Sequence, residues 1–210
     1  MTEHKTMNTI VHAAFRRDLA RFDAALAAFP AGSRSRADQL KRAWDWLEAE
    51  LHHHHDYEET YFWPALHHTD ADVSVIAELD GEHGAMRAAL EDAGAAMRTF
   101  HDNPSPAQAG AARTAVSHLK DVLLAHLAHE ERDLEPISAQ YASTPVMKAA
   151  VKKIIKAHRG RLGGVLAWLQ DGADADARRG LRREIPAPVV LVVSGVGGRR
   201  YRREIASTWT

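Results

Sequence analysis

Histidine is the residue type that most strongly suggests chemistry in this sequence. The chain of 210 residues has 14 histidines, 28 aspartates and glutamates, and no cysteine. The absence of cysteine excludes disulfides, thiol catalysis and iron–sulfur clusters, so a metal site would have to use imidazole and carboxylate ligands. A histidine and a glutamate four residues apart lie one turn apart on the same helix face and can reach one point. Two such pairs occur, His54 with Glu58 and His126 with Glu130.

The two pairs belong to a pattern that the sequence uses twice. Both follow the form Leu-x3-Leu-x2-His-x3-Glu-Glu-x4-Pro, ending once at Pro64 and once at Pro136. Each is preceded by a stripe that begins with a histidine, His12 or His83, and continues with apolar residues at alternating steps of three and four. The nearly constant offset between the two copies indicates a helical hairpin that is used twice.

The segments that carry these residues have the length and the periodicity of helices. Turn signals near residues 30, 67 and 103 divide the first part of the chain into four such segments, without strand-like alternation. Short connections make consecutive helices antiparallel. The sequence therefore predicts an all-α fold, with an up-down-up-down four-helix bundle over residues 1–140. Antiparallel threading would bring the inward histidines and glutamates to one end of the bundle.

Six inward polar groups would cost several kcal/mol if they stayed unpaired in an apolar core, and metal coordination would remove that cost. The candidate ligands are His12, His54, Glu58, His83, His126 and Glu130. This donor set is too large for one closed tetrahedral zinc and suits two ions with shared carboxylates. We expect the histidines of each hairpin to hold one ion and both glutamates to bridge. Nitrogen and oxygen ligands without sulfur favour iron over manganese or zinc.

Four consecutive histidines, residues 52–55, leave a second register open in this helix. The apolar stripe of the helix continues through His54 and Glu58, which favours that pair. The alternative register pairs His55 with Glu59. In the favoured register, most of the other histidines in the run are expected to lie on the solvated surface.

The most specific motifs are His54-x3-Glu58-Glu59 with Trp63-Pro64, Glu82-His83 and His126-x3-Glu130-Glu131. With these motifs, roughly residues 8–140 resemble the hemerythrin-like, His-His-Glu cation-binding family of four-helix bundles. The resemblance implies a non-haem di-iron centre with an oxo or hydroxo bridge. It also implies that the centre binds or reacts with oxygen, peroxide or nitric oxide.

One position departs from the oxygen-carrying members of that family, which have two histidines four residues apart on the third helix. Here His83 has no second histidine four residues to either side. The vacancy is expected to stay open to solvent or to be filled by Glu59, Glu82 or Tyr61. This departure argues against reversible oxygen carriage.

An open coordination position favours peroxide disproportionation, a catalase-like reaction in which the iron pair cycles between oxidation states. One alternative is a sensor or binding module without catalysis, in which iron, oxygen or nitric oxide changes the stability of the bundle. A further alternative is a structural bundle that holds zinc.

Residues 141–210 form the second part of the chain. Thr144-Pro145 marks a helix start, and the apolar face from Val146 to Leu169 predicts a fifth helix packed on the bundle. Residues 151–210 hold 13 of the 27 lysines and arginines but only 5 of the 28 acidic residues. This basic extension is expected to form an additional helix and a strap on the bundle. Alternatives are contacts with an anionic membrane surface, a partner protein or a second copy of the chain.

The whole chain is nearly neutral, with a formal charge of −1. This balance gives no reason to expect nucleic acid as a partner, and no nucleic-acid-binding motif accompanies the arginines. The first residues lack the apolar core of a signal peptide, and the apolar run Val189–Val193 is too short to span a bilayer. A cytoplasmic location is therefore expected.

Overall fold

The computed structural model describes residues 5–210. The bundle half of the chain contains six α-helices, which in chain order are α1 (Met7–Ala27), α2 (Arg34–Tyr57), α3 (Trp63–Leu66), α4 (Val75–Asp102), α5 (Pro106–His129) and α6 (Glu135–Tyr141). Two single π-helical turns, Glu58–Phe62 and Glu130–Leu134, join α2 to α3 and α5 to α6. Within residues 5–210 every regular element is helical, so the predicted all-α fold is confirmed.

Side-chain caps begin three of the four long helices, namely α1, α2 and α5. Ser33 accepts a hydrogen bond from the backbone N–H of Arg36, and Ser105 accepts one from Gln108 at the start of α5. Pro106 occupies the first turn of α5, where its missing N–H would have no partner in the helix. Each cap contributes about 1 kcal/mol to helix stability.

The four long helices enclose one apolar core. Helix α1 contacts α2 and α5, and α4 contacts the same two helices from the other side. At one end of this bundle lie the histidines 12, 54, 83 and 126. At the other end, the rings of Phe29 and Phe100 are 4.7 Å apart, and Arg34 donates to the carbonyl of His101. These contacts place successive long helices in opposite directions, which supports the up-down-up-down interpretation.

The second half of the chain adds further helices, namely α7 (Pro145–Ala157), α8 (Leu162–Gln170), α9 (Ala175–Glu184), α10 (Ala187–Gly197) and α11 (Arg199–Glu204), followed by a 3₁₀ turn (Ala206–Trp209). The expectation of one continuous fifth helix is wrong, because a turn at residues 158–161 separates α7 from α8. Gly160 in this turn lowers helix propensity, and Gly163 allows α8 to lie directly against the backbone of Gly197.

Helix α8 shares the core of the bundle. Trp168 is 1% exposed, and its indole N–H donates to Asp18 of α1 over 2.7 Å. Arg17 donates to the carbonyls of Trp168 and Asp171 at the end of α8. These contacts attach the second half of the chain to the face of α1.

The basic extension is more helical than expected, since it forms α9, α10 and α11 instead of one helix and a strap. Three of its arginines pair within the extension: Arg179 with Asp176, and both Arg200 and Arg203 with Glu204. Helix α10 exposes four large apolar side chains, Val189, Leu191, Val192 and Val196. None of the helices in residues 5–210 has both the length and the apolarity that crossing a bilayer requires.

Candidate metal centre

The six histidines and glutamates singled out in the sequence meet at one end of the bundle, together with a seventh residue, His55. They form two groups, the first with His12, His54, Glu58 and Glu130, and the second with His55, Glu58, His83 and His126. Within each group the potential ligand atoms lie within 4.8 Å of one another. Glu58 belongs to both groups, whereas Glu130 belongs only to the first, although both were expected to bridge.

The distances inside the groups are those of a chelating site. In the first group, His12 Nε2 lies 3.2 Å from His54 Nε2 and 3.3 Å from Glu130 Oε2. The two oxygens of Glu58 lie 3.2 Å from His54 Nε2 and 3.5 Å from His83 Nε2. Two ligand atoms at about 2.1 Å from one ion, at a right angle, would be about 3 Å apart. The two Glu58 oxygens therefore face opposite groups at distances suited to shared coordination.

Several buried polar atoms in the two groups have no hydrogen-bond partner within residues 5–210. They are His55 Nε2, Glu58 Oε1, Glu58 Oε2, His83 Nε2, His126 Nε2 and Glu130 Oε2. An unpaired buried polar group costs about 1–3 kcal/mol. Coordination of cations would satisfy all these atoms together, so the residues present fit metal ions with nitrogen and oxygen ligands.

Outer carboxylates orient two of the histidines, and each carboxylate comes from the other hairpin. His12 Nδ1 lies 2.9 Å from Glu131, which also accepts from Arg16 over 2.6 Å. His83 Nδ1 lies 2.7 Å from Glu59, which also accepts from Arg87 over 2.7 Å. A carboxylate at Nδ1 favours the tautomer with its proton there, so that the Nε2 lone pair faces the centre.

Glu82 of α4 has the same outer role for two histidines of α5. Its two oxygens lie 2.8 Å from His126 Nδ1 and 2.7 Å from His129 Nδ1. The expectation that Glu59 or Glu82 fills a vacancy in the centre is therefore wrong, because their carboxylates hold the outer nitrogens of His83 and His126. Glu59 does approach Asp80 and His83 in a separate, more exposed group outside the centre.

Tyr61, the third residue proposed for the vacancy, packs against the apolar cluster that contains Trp63 and Leu66, and its ring lies 6.0 Å from that of Tyr57. It belongs to a π turn, in which the N–H of Trp63 bonds to the carbonyl of Glu58, five residues back. This wider turn changes which of the following residues share the face of Glu58. The indole of Trp63 stacks on the imidazole of His83 with the ring centroids 4.6 Å apart.

His55 is the residue that the sequence reasoning missed. It is 4% exposed, so the expectation that it lies on the solvated surface is wrong, whereas His52 is exposed. The signal was its spacing, because residues three and four positions before Glu58 share one helix face. The choice between His54 and His55 was therefore not exclusive. His55 thus gives the second group an additional imidazole, which α4 does not provide because it has no second histidine four residues from His83.

Burial and nearby charges shift the pKa values of the centre. Burial, with the neighbouring His12, lowers the pKa of His54 to about 3, and burial also lowers the pKa of His55 well below its usual value. Burial and the Glu130 carboxylate raise the pKa of Glu58. Burial acts to raise the pKa of Glu130 too, but the nearby histidines 12, 54 and 126 together outweigh it and hold this pKa at about 2. Neutral His54 and His55 are in the form that binds metals.

Comparison with known families gives one match. The family model for the hemerythrin HHE cation-binding domain matches residues 9–138, and it matches a second time over residues 74–185. The first match covers more than half of the chain and includes both groups of candidate ligands. The second, overlapping match begins at the second hairpin, consistent with the pattern that both hairpins share. Searches of curated proteins and of solved structures gave no significant match.

Proposed function

The chain belongs to the hemerythrin HHE cation-binding domain family, and on that premise we propose that it binds two iron ions and reacts there with a small oxygen species. One observation carries the proposal. Two groups of four potential ligand atoms share Glu58, whose two oxygens face different groups. A single ion would leave most of one group unpaired and buried.

The donor chemistry supports iron. The first group offers two imidazoles and two carboxylates, and the second offers three imidazoles and one carboxylate. Such donors suit iron, with manganese and zinc as alternatives, and none is a thiolate. Four donors in each group leave coordination positions for ligands from solution. Bound iron would supply electrons and binding positions for oxygen, peroxide or nitric oxide.

The protein would contribute orientation, charge and exclusion of water. Glu131, Glu59 and Glu82 fix the outer nitrogens of three candidate ligands. Arg16 and Arg87 in turn hold two of these carboxylates in place. Outer partners of this kind typically change metal affinity or activity by about 10–100-fold when they are removed.

The structure changes the argument for preferring peroxide to oxygen as the small molecule that reacts at the centre. Peroxide disproportionation was favoured in the sequence because the third helix lacks a second histidine, and His55 now supplies a donor to that group. The argument against reversible oxygen binding is correspondingly weaker. We therefore propose binding of, or reaction with, a small oxygen species as the function, and treat peroxide turnover as one outcome to be measured.

Metal loading tests this proposal. Purified protein is loaded with Fe(II) without oxygen, desalted, and analysed for metals; the expected content is about two irons per chain. Glu58→Ala should lose both ions, whereas exposed Glu78→Ala, a matched control on α4, should keep them. One ion per chain, or retention of both by Glu58→Ala, would contradict the shared site. A preference for zinc without any spectral response to oxygen, peroxide or nitric oxide would support the structural alternative instead.

Activity is measured on the same loaded protein. Anaerobic samples are titrated with oxygen, nitric oxide or peroxide while the absorption spectrum and oxygen release are recorded. Oxygen release from peroxide by the wild type, but not by Glu58→Ala, would identify a catalase-like enzyme. Reversible spectral changes without turnover would identify a binding module or sensor.

A further inference from the structure

A cavity of about 340 Å³ lies between the bundle and the helices that follow it. The candidate ligands His54 and Glu58 form part of its wall on the bundle side. Helices α7 and α8 supply most of the opposite wall, which consists of apolar side chains. The cavity is therefore built jointly by the candidate metal centre and by residues beyond the four-helix bundle.

The cavity is much larger than a small oxygen species requires. At about 30 Å³ per non-hydrogen atom, its volume holds roughly eleven such atoms, whereas oxygen and peroxide each have two. Ligand pockets in proteins typically begin at about 300 Å³. The size thus fits an organic molecule.

The lining selects against charged molecules. Ile154, Val165 and Leu166 exemplify its apolar wall. Two further carboxylates line the cavity: buried Glu50 is already paired with Arg161, and Glu184 is exposed to solvent. Transfer of a charge into such surroundings is costly unless a partner neutralises it. Tyr57 of α2 and His158, which follows α7, offer neutral hydrogen-bonding groups at the cavity.

Two apolar side chains at the cavity are left partly uncovered. Val151 and Ile155 of α7 line it and are 45% and 51% exposed. A ligand that extends to these side chains would remove apolar surface from water, which favours binding. They mark an apolar side by which such a molecule can enter.

We propose that this cavity binds an uncharged, mainly apolar organic molecule of roughly eleven non-hydrogen atoms, with one end against His54 and Glu58. The binding site itself stands without metal; only the placement of the ligand beside the iron pair rests on the proposed function. The molecule would be a second ligand of the centre, distinct from the small oxygen species, and it would control access to the His54 side.

The probe is 1-decanol, which has the required size and one neutral hydroxyl group. Its binding to the full-length, metal-free protein is measured by isothermal titration calorimetry. We expect saturable binding of decanol. The affinity for decanoate should be lower by at least about tenfold, because its carboxylate would have to be desolvated. Absence of saturable decanol binding, or equal binding of decanoate, would overturn the proposal.

Cavity-filling variants locate the binding. Ile154→Trp should weaken decanol binding by about tenfold or more, since an indole occupies space that the ligand needs. Ile155→Trp, at a half-exposed position, gives the same test if the first variant does not fold. Leu191→Trp, on the exposed face of α10, is the matched control and should bind like the wild type. Unchanged binding in both cavity variants would refute the assignment.

The last measurement separates the cavity from the metal centre. In iron-loaded protein, saturation with decanol should shift the iron absorption bands while the iron content stays constant. Binding by a chain that loads no iron would leave the cavity established and the proposed function refuted. Iron loading without decanol binding would refute the cavity proposal and leave the proposed function standing. Decanol binding without a band shift would overturn the placement of the ligand beside His54 and Glu58.

Discussion

Replacement of His55 with leucine is expected to change metal binding and metal-free stability in opposite directions. The second hairpin already contains the matching side chain: Leu127 follows His126 as His55 follows His54. Leu127 is fully buried. His55→Leu therefore makes the first hairpin resemble the second, with a side chain that the bundle accommodates at the corresponding position.

The expected magnitude follows from the surroundings of His55. Its Nε2 atom is buried and has no hydrogen-bond partner in the described part of the chain. Leaving such an atom unpaired costs about 1–3 kcal/mol, and an apolar side chain of similar volume removes that cost. The metal-free variant should thus be more stable than the wild type by about 1–3 kcal/mol. With metal, the second group keeps only three potential ligands, and its ion should be lost first.

Two measurements test this pair of effects. Urea denaturation of metal-free protein gives the free energy of unfolding, and metal analysis after Fe(II) loading gives the iron content, which should fall from about two to about one per chain. His52→Leu is the control, because His52 is exposed and belongs to neither group. A less stable metal-free variant, or one that binds both irons as tightly as the wild type, would refute the reasoning.

Three further outcomes are expected. Glu131→Gln should lower iron affinity by about 10–100-fold without unfolding the chain, because it removes the charge that orients His12; an unchanged affinity in a chelator competition would contradict this role. Gly163→Ala should destabilise the protein by about 1–3 kcal/mol in urea denaturation, since the added methyl group would collide with the α10 backbone. The control is Gly110→Ala in α5, where the position is exposed and has open space around it; this variant should stabilise the protein by up to about 1 kcal/mol. If the basic extension contacts anionic membranes, the protein should sediment with vesicles that contain phosphatidylglycerol but not with neutral ones, and Leu191→Glu should abolish this; sedimentation with neither kind of vesicle would exclude that alternative.

The helices were predictable where local chemistry and periodicity agreed. Ser33, Ser105 and Thr144 each cap a helix, and the stripe from His12 to Phe29 is buried at almost every step. Where long-range packing decided the outcome, the sequence was insufficient. Beyond the turn after α7, Gly163 of α8 lies directly against the backbone of α10, a contact that periodicity in one segment cannot reveal.

The sequence predicted which residues gather at the candidate site. It did not predict which carboxylates belong to the groups of candidate ligands and which hold the outer nitrogens of the histidines. His-x3-Glu spacing brought the right helices together, yet Glu59 and Glu82, two of the alternatives for the vacancy beside His83, hold outer nitrogens. The π turn explains part of the error, because it shifts the faces of residues after Glu58 by a fraction of a turn. That shift depends on the backbone bonding of the turn, which a count of α-helical steps does not include.

The two hairpins match in sequence, but one difference between them distinguishes the two sides of the centre. His83 has Glu82 before it, which holds His126; the corresponding residue before His12 is Val11, which lines the cavity instead. His54 therefore lacks from α1 the carboxylate that His126 receives from α4, and the cavity adjoins His54 in its place. Because α7 and α8 cover this side of the bundle, the repeated hairpin supplies two similar groups of ligand atoms, and the added helices decide from which side the centre can be reached.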